Sequence, residues 1–194
     1  MLARVLLLSF VLALFSACAE VPAAIRDEMN KTAQTKPGAA TVVFFTDFQC
    51  PFCRKTHAAL VPIVAERPDR VRVVVRHVPL PRHPDARTAA RAAICVESIT
   101  RALTDDYVHA LFESPDLSEA ACEELAVERG VDRDRFQRCL SDARTDARLE
   151  HDLLAFDALR GDGVPLLYID GRRFEGAQSG AALRAAIDDV LSGK

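Results

Sequence analysis

The stretch TVVFFTDFQCPFC, residues 41–53, decides the fold. Its first six residues, Thr41 to Thr46, are β-branched or aromatic and almost continuously apolar, which reads as a buried strand. Asp47, Phe48 and Gln49 make a brief turn. A helix then starts at Cys50-Pro51-Phe52-Cys53, since proline suits a first helical position. It runs to about Glu66 and stops near Pro68. Val71 to His77 (VRVVVRH) alternates into a second strand. Strand, helix and strand in this order make a βαβ unit, so the two strands should be parallel and joined by a right-handed crossover.

Downstream, Pro79 to Pro84 (PLPRHP) is a stiff extended linker, and from Asp85 to about Arg160 the chain reads as helical. Asp85 is the expected cap of a helix over 86–103, and Asp105 opens a short one ending near Glu113. Ser118 caps a third that stops at Gly130. Asp132 caps a long fourth ending near Gly161. Strand signals return at Leu166 to Asp170, followed by an Asp170-Gly171 hairpin turn and a return strand at Arg173 to Glu175. Ala181 to Leu191 closes the chain as a helix. The expected class is α/β, in the order βαβ, helical block, ββα. The block, about residues 85–160, falls between two halves of one sheet and is therefore an insertion.

The chain has 194 residues, 49% hydrophobic and 27% charged, with a formal net charge of −3. That suits one globular domain over residues 41–194. Basic residues are dispersed among acidic ones, so no phosphate-tracking surface is present and nucleic acid is not an expected partner. Aromatic residues make up only 6%, with no Trp, which argues against a stacking platform for sugars or bases.

The first residues read as an export signal, residues 1–17. Arg4 is a short basic start, Val5 to Phe15 is apolar apart from Ser9, and small residues follow. The apolar run is too short to span a bilayer comfortably. Phe15-Ser16-Ala17-Cys18 resembles a lipoprotein box, in which Cys18 becomes a lipidated first residue held at a membrane surface. Ala17-Cys18-Ala19 is the rival cleavage site, and it would release a soluble protein starting at Glu20. The lipoprotein reading is preferred, because cysteine is an odd choice inside an ordinary cleavage site. Residues 18–40 read as a short helix or a tether. Export places the six cysteines in an oxidising, extracytoplasmic (periplasmic) compartment where disulfides persist.

Two cysteines separated by two residues can close a small disulfide ring. At a helix start the first sulfur lies near unpaired N–H groups and the positive dipole end, which stabilise its thiolate. Cys50 is thus the expected exposed nucleophile, and Cys53, one turn in, the less accessible resolving thiol. A structural zinc site would want four ligands. There is no second CxxC, and His57 adds only one. No metal or organic cofactor is expected.

FFTDFQCPFC, PLPRHPDARTAARAA and GVPLLYIDGRRFEG, in this order, resemble the DsbA-like branch of the thioredoxin superfamily over about Thr41 to Leu191. The resemblance implies a thioredoxin core with a helical insertion, the nucleophile role for Cys50 and the resolving role for Cys53. It implies a cis-proline at Pro165, with the Val164 backbone pairing to an extended substrate segment. The Pro51-Phe52 dipeptide would tune the redox potential. Strong oxidants of this family carry Pro-His there, and Phe52 cannot stabilise a thiolate electrostatically. Asp47 is either a proton-transfer aid for Cys53 or a turn residue, with the turn preferred.

Cys95, Cys122 and Cys139 fall on apolar helical faces of the insertion. The resemblance ranks a structural Cys95–Cys139 disulfide first, with Cys122–Cys139 as the rival, and three buried thiols remain the bland alternative. The functional expectation is disulfide exchange with the thiols and disulfides of exported proteins, in the oxidase direction, with a membrane redox partner. The alternatives are a reductase, a dedicated thiol donor for metalloprotein assembly, and a non-catalytic thioredoxin-fold binding or chaperone lipoprotein.

Overall fold

The computed structural model describes residues 21–193. The expectations for the export signal and for Cys18 lie outside the described residues. No helix among the described residues is long and apolar enough to cross a membrane.

One four-stranded sheet organises the molecule, with strand order β2-β1-β3-β4. Strand β1 (Ala40–Thr46) pairs in parallel with β2 (Val71–His77), from Ala40 opposite Val71 to Thr46 opposite His77. The helix between them is α2 (Pro51–Ala65). Strand β3 (Leu166–Ile169) runs antiparallel to β1, with Phe45 opposite Leu166, and β4 (Arg172–Glu175) returns antiparallel along β3. All seven residues of β1 are buried, because both faces of the central strand are covered. Its side chains alternate between two cores, as a period of two requires. Val42 and Phe44 join Leu60 and Ile63 of α2 and Leu183 and Ile187 of α8 (Gly180–Leu191). Val43 and Phe45 face Ile25, Phe156, Leu159 and Tyr168 on the other side.

The insertion runs through α3 (Ala86–Ile99), a short 3-10 turn (Arg101–Leu103), α4 (Thr104–Glu113), α5 (Glu119–Glu128), α6 (Arg133–Leu140) and α7 (Ala143–Ala158). Its buried residues Tyr107, Leu111, Phe112, Cys122 and Phe136 belong to the same core as Phe44. The insertion therefore extends the sheet's own core.

Three details depart from the sequence reading. The long helix expected over 133–161 is two helices. Asp142 is extended and caps α7 by accepting from the Arg144 N–H, so the chain restarts there. The helix expected to reach Leu103 ends at Ile99, where Thr100 is extended, and the 3-10 turn follows as a separate piece. Asp85 precedes α3 without capping it, because its carboxylate is engaged by Gln49.

Residues 23–35 form a helix, α1 (Ala23–Thr35), docked against the sheet through buried Ile25 and Glu28. Glu28 accepts from Arg72 Nη2 at 3.1 Å and Arg76 Nη2 at 2.6 Å, both on β2. Burial alone would raise its carboxyl, but Lys31, Arg76 and Arg72 outweigh burial and hold it below the usual carboxylate range. Arg76 also reaches Asp152 of α7 at 3.2 Å. Asp152, fully buried, accepts in addition from Arg148 and from the His77 N–H. This ladder links α1, β2 and α7. Ahead of α1, Val21 packs over Gly171, where an added Cβ would lie 2.5 Å from Val21 Cγ2. Gly171 sits in the β3–β4 turn at φ +84°, next to Asp170 at +44°, the left-handed pair that a tight hairpin needs.

His77 gives the fold a pH dependence. Its imidazole is buried, which pushes its pKa down to about 4. Asp152 opposes that shift and is partly offset by Arg148 and Arg76. The folded protein holds His77 neutral while the unfolded chain takes up a proton near pH 6.5. Stability is therefore fully present above about 6.5 and declines as pH falls towards 4, by on the order of 3 kcal/mol from this residue. Urea midpoints between pH 7 and pH 4.5 should show that fall, and His77→Gln should flatten it. An equal slope in the variant would remove His77 as its cause.

Candidate active site

The site forms at the C-terminal end of β1. Cys50 is the N-cap of α2, Pro51 fills its first position, and the Cys50 carbonyl accepts from the Arg54 N–H at 3.0 Å. Cys50 Sγ points to the Val164 carbonyl oxygen, 3.8 Å away. The Val164–Pro165 peptide is cis and leads directly into β3. The βαβ half and the ββα half thus meet at the Cys50 sulfur, with residues 114 apart in sequence brought together.

The sequence reading expected Cys50 to be exposed, and that is corrected here. Cys50 is 1% exposed, because the Val164–Pro165 segment lies over it. The exposed face of the motif belongs to Pro51 and to Phe52, which is 61% exposed.

Cys53 is fully buried, and that burial pushes its thiol far above the ordinary range. The neighbouring Thr46 hydroxyl and Asp47 N–H oppose the shift, and Cys50 adds to it. Thr46 Oγ1 is buried with no hydrogen-bond partner among the described residues. Thr46 and Asp47 are therefore a pair of donors waiting at the Cys53 sulfur, suited to the moment when it carries charge. Sequence alone did not single out Thr46, since a threonine ending a β-branched strand looks like any other strand residue.

Asp47 is a hub as well as a turn residue. One carboxylate oxygen accepts from the Gln49 N–H at 2.7 Å, and the other from the Leu80 N–H at 2.8 Å with His83 Nδ1 also at 2.8 Å. Gln49, likewise missed, exchanges hydrogen bonds with Asp85: its amide donates to the carboxylate at 3.1 Å and accepts from the Asp85 N–H at 2.7 Å. The segment after β2, expected to be extended through Pro84, instead turns over residues 81–85, with the His83 N–H donating to the Leu80 carbonyl at 2.9 Å, and it is thereby latched to the turn that presents Cys50.

Beneath the motif, Phe112 of α4 stacks on His57 of α2 with centroids 4.4 Å apart and contacts Phe48 at 4.8 Å. His57 Nε2 lies 3.3 Å from His109 Nδ1, and burial followed by His109 lowers its pKa to about 4. His57 is thus part of the α2–α4 contact. In the insertion, Cys95 and Cys139 are joined with S–S 2.10 Å. Cys122 is a free buried thiol facing the Leu117 carbonyl at 3.5 Å, with burial pushing its pKa up to about 12.

The chain matches the family model described as Thioredoxin (Thioredoxin_4) over residues 35–189. Among curated proteins it is similar to the Na(+)/H(+) antiporter NhaA 3 of Salinispora tropica, 33% identical over 148 residues, which is 76% of this chain and 22% of that one. The chain thus spans under a quarter of the length of that relative. Among solved structures, a thioredoxin-like oxidoreductase from Silicibacter pomeroyi superposes with a TM-score of 0.70 at 24% identity, covering 81% of this chain and 90% of that one. The thiol-disulfide exchange protein alpha-DsbA2 of Wolbachia pipientis superposes with a TM-score of 0.70 at 19% identity, covering 88% and 100%. The chain belongs to the thioredoxin family, with the DsbA-like form of its fold.

Proposed function

We propose that this protein exchanges disulfides with exported protein substrates through a mixed disulfide at Cys50, which Cys53 then resolves. The observation that carries this reading is the meeting of the α2 N-terminal cysteine with the Val164 carbonyl beside a cis-proline. A thiolate at Cys50 attacks a client disulfide or leaves one, depending on direction. An extended client can lay its backbone against the Val164 segment as an added strand. Phe52 offers it an apolar contact. The Wolbachia neighbour, described as a thiol-disulfide exchange protein, supports the reading by fold. Ion transport is not carried over from the antiporter relative, since the match covers 22% of its length.

The proposed setting is extracytoplasmic and the proposed direction oxidative, with a membrane redox partner returning Cys50 and Cys53 to the disulfide. If Cys18 is acylated, its anchor is three residues from Val21, which packs at the β3–β4 turn. That turn is the end of the sheet remote from Cys50, about 20 Å away along β1 at 3.3 Å per residue. The reactive end would then face away from the bilayer.

Phe52 bears on direction. It supplies no positive charge to a Cys50 thiolate, so the reduced form lacks one stabilising interaction. Phe52→His should raise the reduction potential by roughly 20–45 mV, the equivalent of about 1–2 kcal/mol of added thiolate stabilisation. The measurement is redox equilibration against glutathione for both proteins. An unchanged or lowered potential would show that residue 52 does not act electrostatically on Cys50.

A further inference from the structure

A cleft of about 790 Å³, far from Cys50 in the chain, lies among α3, α6 and α7. Its floor includes Cys139, and Ser98 Oγ lies 3.6 Å from that sulfur. The two halves of the disulfide differ sharply. Cys95 is fully buried, whereas Cys139 is partly exposed and lines the cleft. A nucleophile can reach one sulfur only.

The rim is cationic. Arg144 is paired with Asp142, and Arg148 with Asp152. Arg135 and Arg138 line the same cleft, and among the described residues neither guanidinium has a carboxylate partner. The cleft therefore holds two unpaired guanidiniums beside the disulfide, with Glu97, 4.0 Å from Arg148, as a carboxylate on the same lining.

We propose that this cleft is a second thiol-exchange site, built to admit small anionic thiols of the glutathione class. Two carboxylates match the two spare arginines. The ligand thiolate attacks Cys139 Sγ and forms a new S–S bond with it. The Cys95–Cys139 bond breaks, and its electron pair goes to Cys95 Sγ, which then takes a proton from solvent. The ligand sulfur is oxidised and Cys95 is reduced. Thr145 Oγ1, 3.6 Å from Cys95 Sγ, is the polar group beside the departing sulfur. Its proton is already donated to the Cys139 carbonyl at 2.7 Å. The leaving thiolate is thus poorly solvated, and the exchange is slower than one at the α2 N-terminus. The outcome is reversible opening of the staple that ties α3 to α6. It does not depend on the role given to Cys50.

The test uses the full mature chain carrying Cys50→Ser and Cys53→Ser, so that only the second site can react. Reduced glutathione and cysteamine, a cationic thiol, are compared at equal thiolate concentration and low salt. Adducts are mapped by mass spectrometry after acid quench, and circular dichroism monitors the fold. The expected result is a glutathione adduct on Cys139 in the folded protein, forming roughly tenfold faster than the cysteamine adduct, as two exposed charge contacts allow. Arg135→Ala with Arg138→Ala, both on the exposed face of α6, should bring the two rates together. No adduct on Cys139 while folded, an adduct on Cys95 instead, or equal rates for the two thiols in the parent would overturn the proposal.

Discussion

Cys50→Ser is expected to abolish disulfide exchange, lowering the rate towards a model disulfide peptide by at least about 10³-fold while the protein stays folded. The size of the loss follows from the chemistry. A hydroxyl cannot form or leave a disulfide, and removing a nucleophile leaves only residual binding effects. Cys53→Ser should behave differently. It keeps the attacking sulfur and loses the resolving one, so a mixed disulfide between Cys50 and the peptide should accumulate and be recovered under non-reducing conditions. Cys53 is fully buried, with its thiol pushed far up, so trapping at Cys53 in the Cys50→Ser protein should be negligible. Exchange surviving in Cys50→Ser would refute the assignment. A protein whose biological function persisted without Cys50 would be a binding module.

Phe112→Ala is expected to destabilise the protein by about 3–5 kcal/mol, the usual range for removing a buried phenylalanine. Phe112 is fully buried and joins three groups from separate elements: Phe44 on β1 at 6.3 Å, Phe48 under the motif at 4.8 Å and His57 on α2 at 4.4 Å. Those ring contacts add to the area lost. The urea midpoint should fall with little change in slope, which separates a loss of stability from a loss of cooperativity. A cost below about 1 kcal/mol would mean that the insertion is not welded to the sheet through this ring, and the core that it shares with Phe44 would be wrongly described.

How legible this was in the sequence differs from element to element. The run Thr41–Thr46 was readable because a central strand covered on both faces has almost no polar residue to confuse the pattern. The Asp170-Gly171 turn was readable because a two-residue hairpin demands left-handed backbone. The break at Ser141-Asp142 was not foreseen, although serine followed by aspartate is a common helix start. The apolar spacing continues through both helices and hid the cap. The burial of Cys50 was also illegible, because the segment covering it arrives from residue 164. Gln49 and Phe112 matter through partners distant in sequence, Asp85 and His57. Local pattern carries no trace of such contacts. By contrast, the thiol chemistry proposed for Cys50 and Cys53 rests on a local pattern, two cysteines one helical turn apart after a buried strand.

The most direct test of the central claim is equilibration of the folded protein against glutathione redox buffers, with the Cys50–Cys53 state read by alkylation and mass. The account predicts a reversible two-electron transition at that pair. A midpoint towards about −120 mV fits the oxidative direction, and one near about −270 mV would turn the same chemistry to reduction. A Cys50–Cys53 pair that stays in one state across all buffers while the protein remains folded would contradict the account, and disulfide exchange would not be its function.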